Sequence, residues 1–196
     1  MKRLFDILFS GFGLLFLLPL LTLIGISVAL TSKGGVFYKQ IRVGKGNIDF
    51  SMLKFRTMYT GADKGGKLIT VGSRDSRITK TGYVIRKYKL DELPQLWNVF
   101  IGDMSLVGPR PEVRKYVDMY NEEQLLVLSV KPGITDRASI QYSNENELLG
   151  RAEDPEREYI ENVLPAKLEM NLAYIKEKSI FSDVKIIFQT LFKIVS

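Results

Sequence analysis

Lys89-Leu-Asp-Glu-Leu-Pro-Gln-Leu-Trp-Asn-Val-Phe100 is followed, after Ile101, by Gly102-Asp-Met-Ser-Leu-Val-Gly-Pro-Arg-Pro111. In the first block the apolar positions Leu93, Leu96, Trp97 and Phe100 recur at helical spacing, so Asp91 and Glu92 fall in the opening turn of a helix. Pro94 suits that turn and no deeper position. Unpaired N–H groups and the positive end of the dipole favour an ionised carboxylate there and also attract phosphate oxygens. An Asp before a helix is most often a simple cap. The flanks add a chemical reading: Arg86-Lys87-Tyr88-Lys89 is densely cationic, and Gly108-Pro-Arg-Pro111 is a rigid turn, Pro109 and Pro111 holding Arg110 for a bidentate phosphate contact.

The chain has no His and no Cys. That excludes a Cys–His pair, a Ser–His–Asp triad and a zinc site built on those residues. Carboxylates, Lys, Arg, Tyr and Ser or Thr must carry any catalysis. A length of 196 residues supports one domain with a real core. The net charge of +6 is a moderate excess that suits an anionic membrane face or a nucleotide-sugar diphosphate. No basic run with interleaved aromatics indicates a nucleic-acid groove, so no nucleic acid is expected as a partner.

Four blocks, Lys54-Phe-Arg-Thr-Met58, Leu90 to Val99, Gly102 to Pro111 and Pro132-Gly-Ile-Thr135, occur in the order and spacing of the bacterial sugar transferases, the monotopic phosphoglycosyl transferases, which the chain resembles. The resemblance implies that Asp91 attacks the β-phosphate of a UDP-sugar, expels UMP and passes the phosphosugar to a polyprenol (undecaprenyl) phosphate. It implies Glu92 as catalytic partner, Mg²⁺ held at Asp91 and Glu92 to screen the pyrophosphate, and a start for glycoconjugate synthesis at the cytoplasmic face of a bacterial inner membrane. Where many members carry Gly-Trp-Ala-Gln after the fourth block, this chain has Asp136-Arg-Ala-Ser-Ile140. That departure makes Arg137 a further phosphate-binding candidate and leaves the sugar undetermined.

From Ile7 to Ser32 run 26 consecutive uncharged residues, mostly apolar. As one straight helix they would extend roughly 39 Å, more than a hydrocarbon core of about 30 Å, and a single span is the default. Pro19 stands near the middle and positive charge flanks both sides, Lys2 and Arg3 before, Lys33, Lys39, Arg42 and Lys45 after. The positive-inside rule therefore assigns no direction of crossing. Two arms, 4–18 and 20–31, each too short to cross, would resolve this as a re-entrant helix-break-helix, the anchor that the resemblance also implies. A secretory signal peptide is the other alternative, with an apolar region too long for one. The expected division is an anchor over 1–33 and a catalytic domain over 34–196.

Gly35–Val43 and Asn47–Met58 read as a β-hairpin around Gly44-Lys-Gly46. Lys54 and Arg56 share one strand face, a candidate wall for nucleotide or phosphate. Residues 60–78 are Gly-rich and aperiodic, a loop that could act as a lid. A short helix from Thr79 delivers Arg86 to the edge of Asp91. Glu112–Val130 is helical by pattern, Asp154 caps a helix that Pro165 breaks or kinks before Lys178, and Ser182–Val195 is a core or interfacial amphipathic helix on the phospholipid membrane. The fold class is α/β, mostly helical with a small hairpin or sheet. Two other functions stay open, a glycosidase using the two carboxylates and a membrane-anchored nucleotide-sugar-binding or adaptor protein. The oligomeric state, a homodimer included, is undetermined.

Overall fold

The computed structural model describes residues 1–62 and 75–195. Much of the Gly-rich stretch expected as a loop, 63–74, lies outside the described residues. The apolar N-terminal segment forms a single helix, α1 (Lys2–Thr31), running through Pro19. The expected break into two arms is thus absent from the secondary structure: Ser10, Thr22, Ser27 and Thr31 hydroxyls bond back to carbonyls one turn earlier, and helical hydrogen bonding continues on both sides of the proline.

Most of α1 is exposed, including Phe12, Leu15 and Phe16, but both of its ends rest on the body of the protein. At the N-terminal end the Arg3 guanidinium donates to the carbonyls of Val99 (2.6 Å) and Phe100 (2.8 Å). Buried Asp6 accepts from Ser105 Oγ (3.0 Å) and Leu106 N (3.1 Å). Towards its C-terminal end Ile24 and Val28 are buried in a cluster with Phe55 and Ile85. One small residue eases this seating: a Cβ on Gly11 would stand 3.3 Å from the Phe100 ring, a tighter approach than ordinary contact.

Strands β1 (Phe37–Val43) and β2 (Asp49–Phe55) pair antiparallel, as expected, with Tyr38 opposite Lys54. Their turn places Gly46 and Asn47 at positive φ, 72° and 64°. Helix α2 (Lys80–Lys87) is capped by the Thr79 hydroxyl, which accepts from Gly82 N. A 3₁₀ turn over Leu90–Glu92 precedes α3 (Gln95–Ile101). The carboxylates therefore sit one short turn ahead of the α-helix rather than inside its first turn, because Lys89 adopts a left-handed conformation (φ 55°) and Pro94 defers the start of regular hydrogen bonding.

A second small sheet escapes sequence reading: β3 (Ser105–Val107) and β4 (Gly133–Thr135) pair parallel. Each strand is three residues long, too short for any periodicity to register. Between them the single helix expected over 112–130 is instead α4 (Arg114–Val117), α5 (Glu122–Leu125) and a 3₁₀ turn over Leu126–Ser129. Asn121 explains the break, since its side chain and that of Gln124 form a reciprocal capping box that starts a new helix. Then follow α6 (Arg137–Gln141), α7 (Glu145–Gly150) and α8 (Pro155–Glu158) capped by Asp154. A π-helical turn at Tyr159–Val163 leads into α9 (Leu164–Glu177), so Pro165 sits in the first turn of α9, where it lacks no hydrogen bond.

The main core lies under these C-terminal helices, with Tyr116, Leu149, Tyr159, Val163 and Leu168 buried together. Helix α10 (Ile180–Val195) buries Asp183 and Ile186 and leaves Phe188, Leu191 and Phe192 exposed. It presents an apolar face outward as well as one inward.

Candidate active site

The turn carrying Asp91 and Glu92 is fixed from below by its apolar neighbours. Leu90 and Leu93 pack on the Ile24–Val28–Phe55–Ile85 cluster, so α1, the hairpin and α2 all meet beneath the two carboxylates. Asn98 ties α3 to β2: its Oδ1 accepts from Leu53 N (2.9 Å) and its Nδ2 donates to the Ser51 carbonyl (2.8 Å) and to Asp103 (3.2 Å). This buried amide sets the hairpin against α3 so that the next residue, Lys54, reaches Glu92 Oε1 with its ammonium at 3.1 Å.

Arg110 arrives from the other side. The turn that carries it is held where two backbones cross: Gly108 N donates to the Thr135 carbonyl (3.1 Å) and Gly133 N to that of Pro109 (3.0 Å). A Cβ on Gly133 would lie 2.1 Å from Gly108 N, so only glycine allows the approach. Buried Asp136 accepts from Arg110 N (2.8 Å) while capping α6 at Ser139. From this anchor the Arg110 guanidinium forks onto both oxygens of Glu92, Nη1 to Oε2 at 3.1 Å and Nη2 to Oε1.

Glu92 is thus committed to two cations. Its burial works to raise its pKa, but Arg110 and then Lys54 outweigh that and hold the carboxyl well below the usual range. Arg110 is pushed upward, chiefly by Glu92. Burial lowers Lys54, against the attraction of Glu92. Asp91 is the converse case. It is 7% exposed, and among the described residues its carboxylate takes no hydrogen bond or ion pair. Burial first, then the Glu92 charge, raise its pKa, opposed by Lys54, Arg86 and Lys89. The helix-terminus argument expected an environment that favours the anion; burial and the neighbouring carboxylate prevail instead. Two adjacent carboxyls with pKa values driven apart can serve as one reactive base or nucleophile and one fixed anion.

The remaining candidates are distributed unevenly. Arg86, on α2, acts on Asp91 through its charge. Arg56 donates to the carbonyls of Gly35 and Phe37 and lies 5.6 Å from the centre of the Tyr38 ring, which ties the entry of the hairpin rather than facing Glu92. Arg137 pairs at 3.4 Å with Glu177 on α9, away from the Arg110–Glu92 fork. Pro109 and Pro111 offer carbonyls to Gly133 N and Arg42. Asp136 and Asn98 escaped sequence reading as positioning residues. The Asp136-for-Gly departure was the one available signal for Asp136, since it put a charged residue directly after the fourth block.

The sequence model of the family described as "Bacterial sugar transferase" matches residues 1–196. The chain belongs to the bacterial sugar transferase family. It is 38% identical over 97% of its length to a UDP-N-acetylgalactosamine-undecaprenyl-phosphate N-acetylgalactosaminephosphotransferase of Aeromonas hydrophila, covering 42% of that protein. It is 36% identical over 98% of its length to a UDP-glucose:undecaprenyl-phosphate glucose-1-phosphate transferase of Escherichia coli, covering 40% of it. An uncharacterized sugar transferase of Bacillus subtilis, EpsL, is 40% identical over 99% of the chain and 87% of its own length. The chain thus spans about two fifths of the longer relatives and nearly all of the short one.

Among the described residues no group of three acidic side chains forms a metal cage. Mg²⁺ is commonly held by one or two carboxylates together with substrate phosphates and water. Asp91, uncommitted and buried beside a second carboxylate, fits that pattern; Glu92, with both oxygens engaged, fits it less well.

Proposed function

We propose that the chain moves a sugar phosphate from a UDP-sugar to undecaprenyl or another polyprenol phosphate through a covalent intermediate on Asp91. The observation that carries this reading is the buried Asp91 carboxylate, without a hydrogen bond or ion pair among the described residues, beside a Glu92 held by Arg110 and Lys54. An Asp91 oxygen attacks the β-phosphorus, the bond from that phosphorus to the UMP oxygen breaks, and UMP leaves with the electron pair. A phosphate oxygen of the polyprenol phosphate then attacks the same phosphorus and frees the Asp91 carboxylate, giving a polyprenol diphosphate sugar. Two anionic substrates never have to occupy the site together.

Glu92 serves here as the post that fixes Arg110 and Lys54 against Asp91, so that the two cations face the phosphate oxygens where charge builds up. Mg²⁺, held by Asp91 and the diphosphate oxygens, would screen that charge when bound. The relatives' names, which specify UDP-sugars and undecaprenyl phosphate, support the substrate class. A glycosidase would need two carboxylates flanking a scissile bond, one of them a proton donor. Asp91 and Glu92 are consecutive residues of one 3₁₀ turn, and Glu92, clamped by Arg110 and Lys54, is not free to act as the second carboxylate across a bond.

The same reading sets the protein on the cytoplasmic face of a bacterial inner membrane, with α1, continuous through Pro19, entering that face without crossing. Support comes from both ends of α1 resting on one body, and from Lys2 and Lys45 lining one cavity although α1 lies between them in the chain. Purified protein in detergent, given a panel of UDP-sugars with undecaprenyl phosphate, should release UMP with at least one of them. Release of free sugar instead would establish a glycosidase, and binding without turnover an adaptor.

A further inference from the structure

A cavity of about 270 Å³ lies where the N-terminal end of α1 meets β3 and the segment before β4, and none of Asp91, Glu92, Lys54 or Arg110 lines it. Five cations do: Lys2, Arg3, Lys45, Lys131 and Lys178, against a single acid, Asp6. Asp6 is already committed to Ser105 and Leu106 N, and Lys2 to Asp183. Among the described residues Lys45, Lys131 and Lys178 form no ion pair. Arg3 and Lys131 converge: Arg3 Nη2 and Lys131 Nζ stand 3.1 Å and 3.3 Å from the same point, where a side chain on Gly102 would begin. Burial lowers the pKa of Lys131, and the Arg3 charge lowers it further.

We propose that this cavity is a second anion site, separate from Asp91, that takes a phosphate carried on a lipid. Like charges gathered around a cavity are stabilised by a bound anion, and a phosphate offers several acceptor oxygens to such donors. The lipid follows from the surroundings of Arg3. Leu4 beside it is 61% exposed, and Phe100 and Ile101, at the end of α3 that Arg3 binds, are 40% and 52% exposed. Cations at the foot of exposed apolar side chains match an amphiphile at a membrane surface. The inference rests on the membrane placement proposed for α1 and not on the chemistry at Asp91.

The test uses the full chain in neutral dodecyl maltoside micelles at physiological salt, titrated calorimetrically with dihexanoyl-phosphatidic acid and, in parallel arms, with farnesyl phosphate and inorganic phosphate. Both lipid phosphates should bind with one-to-one saturation, and inorganic phosphate should bind at least tenfold more weakly. Lys45→Gln with Lys131→Gln should weaken lipid binding about 30-fold, from roughly fivefold per cation. Lys45→Arg with Lys131→Arg should restore it to within about threefold, which separates lost charge from lost folding. Lys39→Gln with Lys80→Gln, exposed positions outside the cavity, should change it less than twofold. UMP release by the same preparations reads the Asp91 reaction separately. Equal weakening in the cavity and control pairs would overturn the site, and inorganic phosphate binding as tightly as the lipids would overturn the lipid assignment.

Discussion

Asp91 and Glu92 are neighbours in sequence and opposites in environment, and the contrast has a pH consequence. In the proposed mechanism Asp91 must be ionised to attack, so its raised pKa would set the acid limb of the reaction above the ordinary aspartate range. Glu92→Gln removes one of the causes of that rise and leaves Lys54 and Arg110 to face Asp91. The limb should then move to lower pH in single-turnover profiles of UMP release; an unmoved limb would show that Glu92 does not act on Asp91. The stability sign runs the other way for the two groups. Glu92, depressed, contributes stability above its unfolded pKa and loses it as pH falls through the folded one. Asp91, raised, contributes below its unfolded pKa and loses that as pH rises through the folded one. Asp91→Asn should therefore melt no lower than wild type at pH 8 while being inactive. Arg110→Lys keeps a charge but loses the fork onto Glu92. It should slow turnover about 5- to 150-fold, on the order of 1–3 kcal/mol of transition-state stabilisation, with activity within twofold of wild type as the contradicting result.

At the scale of elements, the site depends on a crossing of two strands that no periodicity announces. Gly133→Ala would push a methyl into the backbone of Gly108, which has no flexible side chain to move aside. A loss above about 3 kcal/mol is expected, read as a large fall in melting temperature together with loss of UMP release. The hairpin, α2 and α10 were legible because strand alternation and the 3.6-residue period are local properties. The β3–β4 pair and the split at Asn121 were not, since one joins segments 28 residues apart through pairs such as Ser105 and Gly133 and the other hinges on one capping box. Of the site, the residues with their own chemistry, Asp91, Glu92, Lys54 and Arg110, were readable from charge beside turn signals. The residues that aim them, Asn98 and Asp136, act through contacts with Leu53 and Arg110, which lie 45 and 26 positions away, and sequence spacing carries no trace of those.

For the whole molecule, α1 is both a helix long and apolar enough to cross a membrane and part of the floor under the Asp91–Glu92 turn. Its two ends meet the same body, so Lys2→Cys and Lys45→Cys, in a chain without native cysteine, should both react with a membrane-impermeant thiol reagent from the cytoplasmic side only. Labelling from opposite sides would establish a true span and separate α1 from the packing described here. Exposed Phe188, Leu191 and Phe192 on α10 and the apolar middle of α1 form the apolar surface that the proposed function would set against the membrane. On the proposed function, a soluble donor and a membrane-bound acceptor would be used in turn at Asp91. The most direct test is to mix the protein with a turned-over UDP-sugar and no acceptor, quench, digest and examine the Asp91 peptide by mass spectrometry. A phosphosugar adduct on that peptide, released by hydroxylamine and absent from Asp91→Asn, is the predicted result. No adduct, with kinetics that require both substrates bound together, would contradict it.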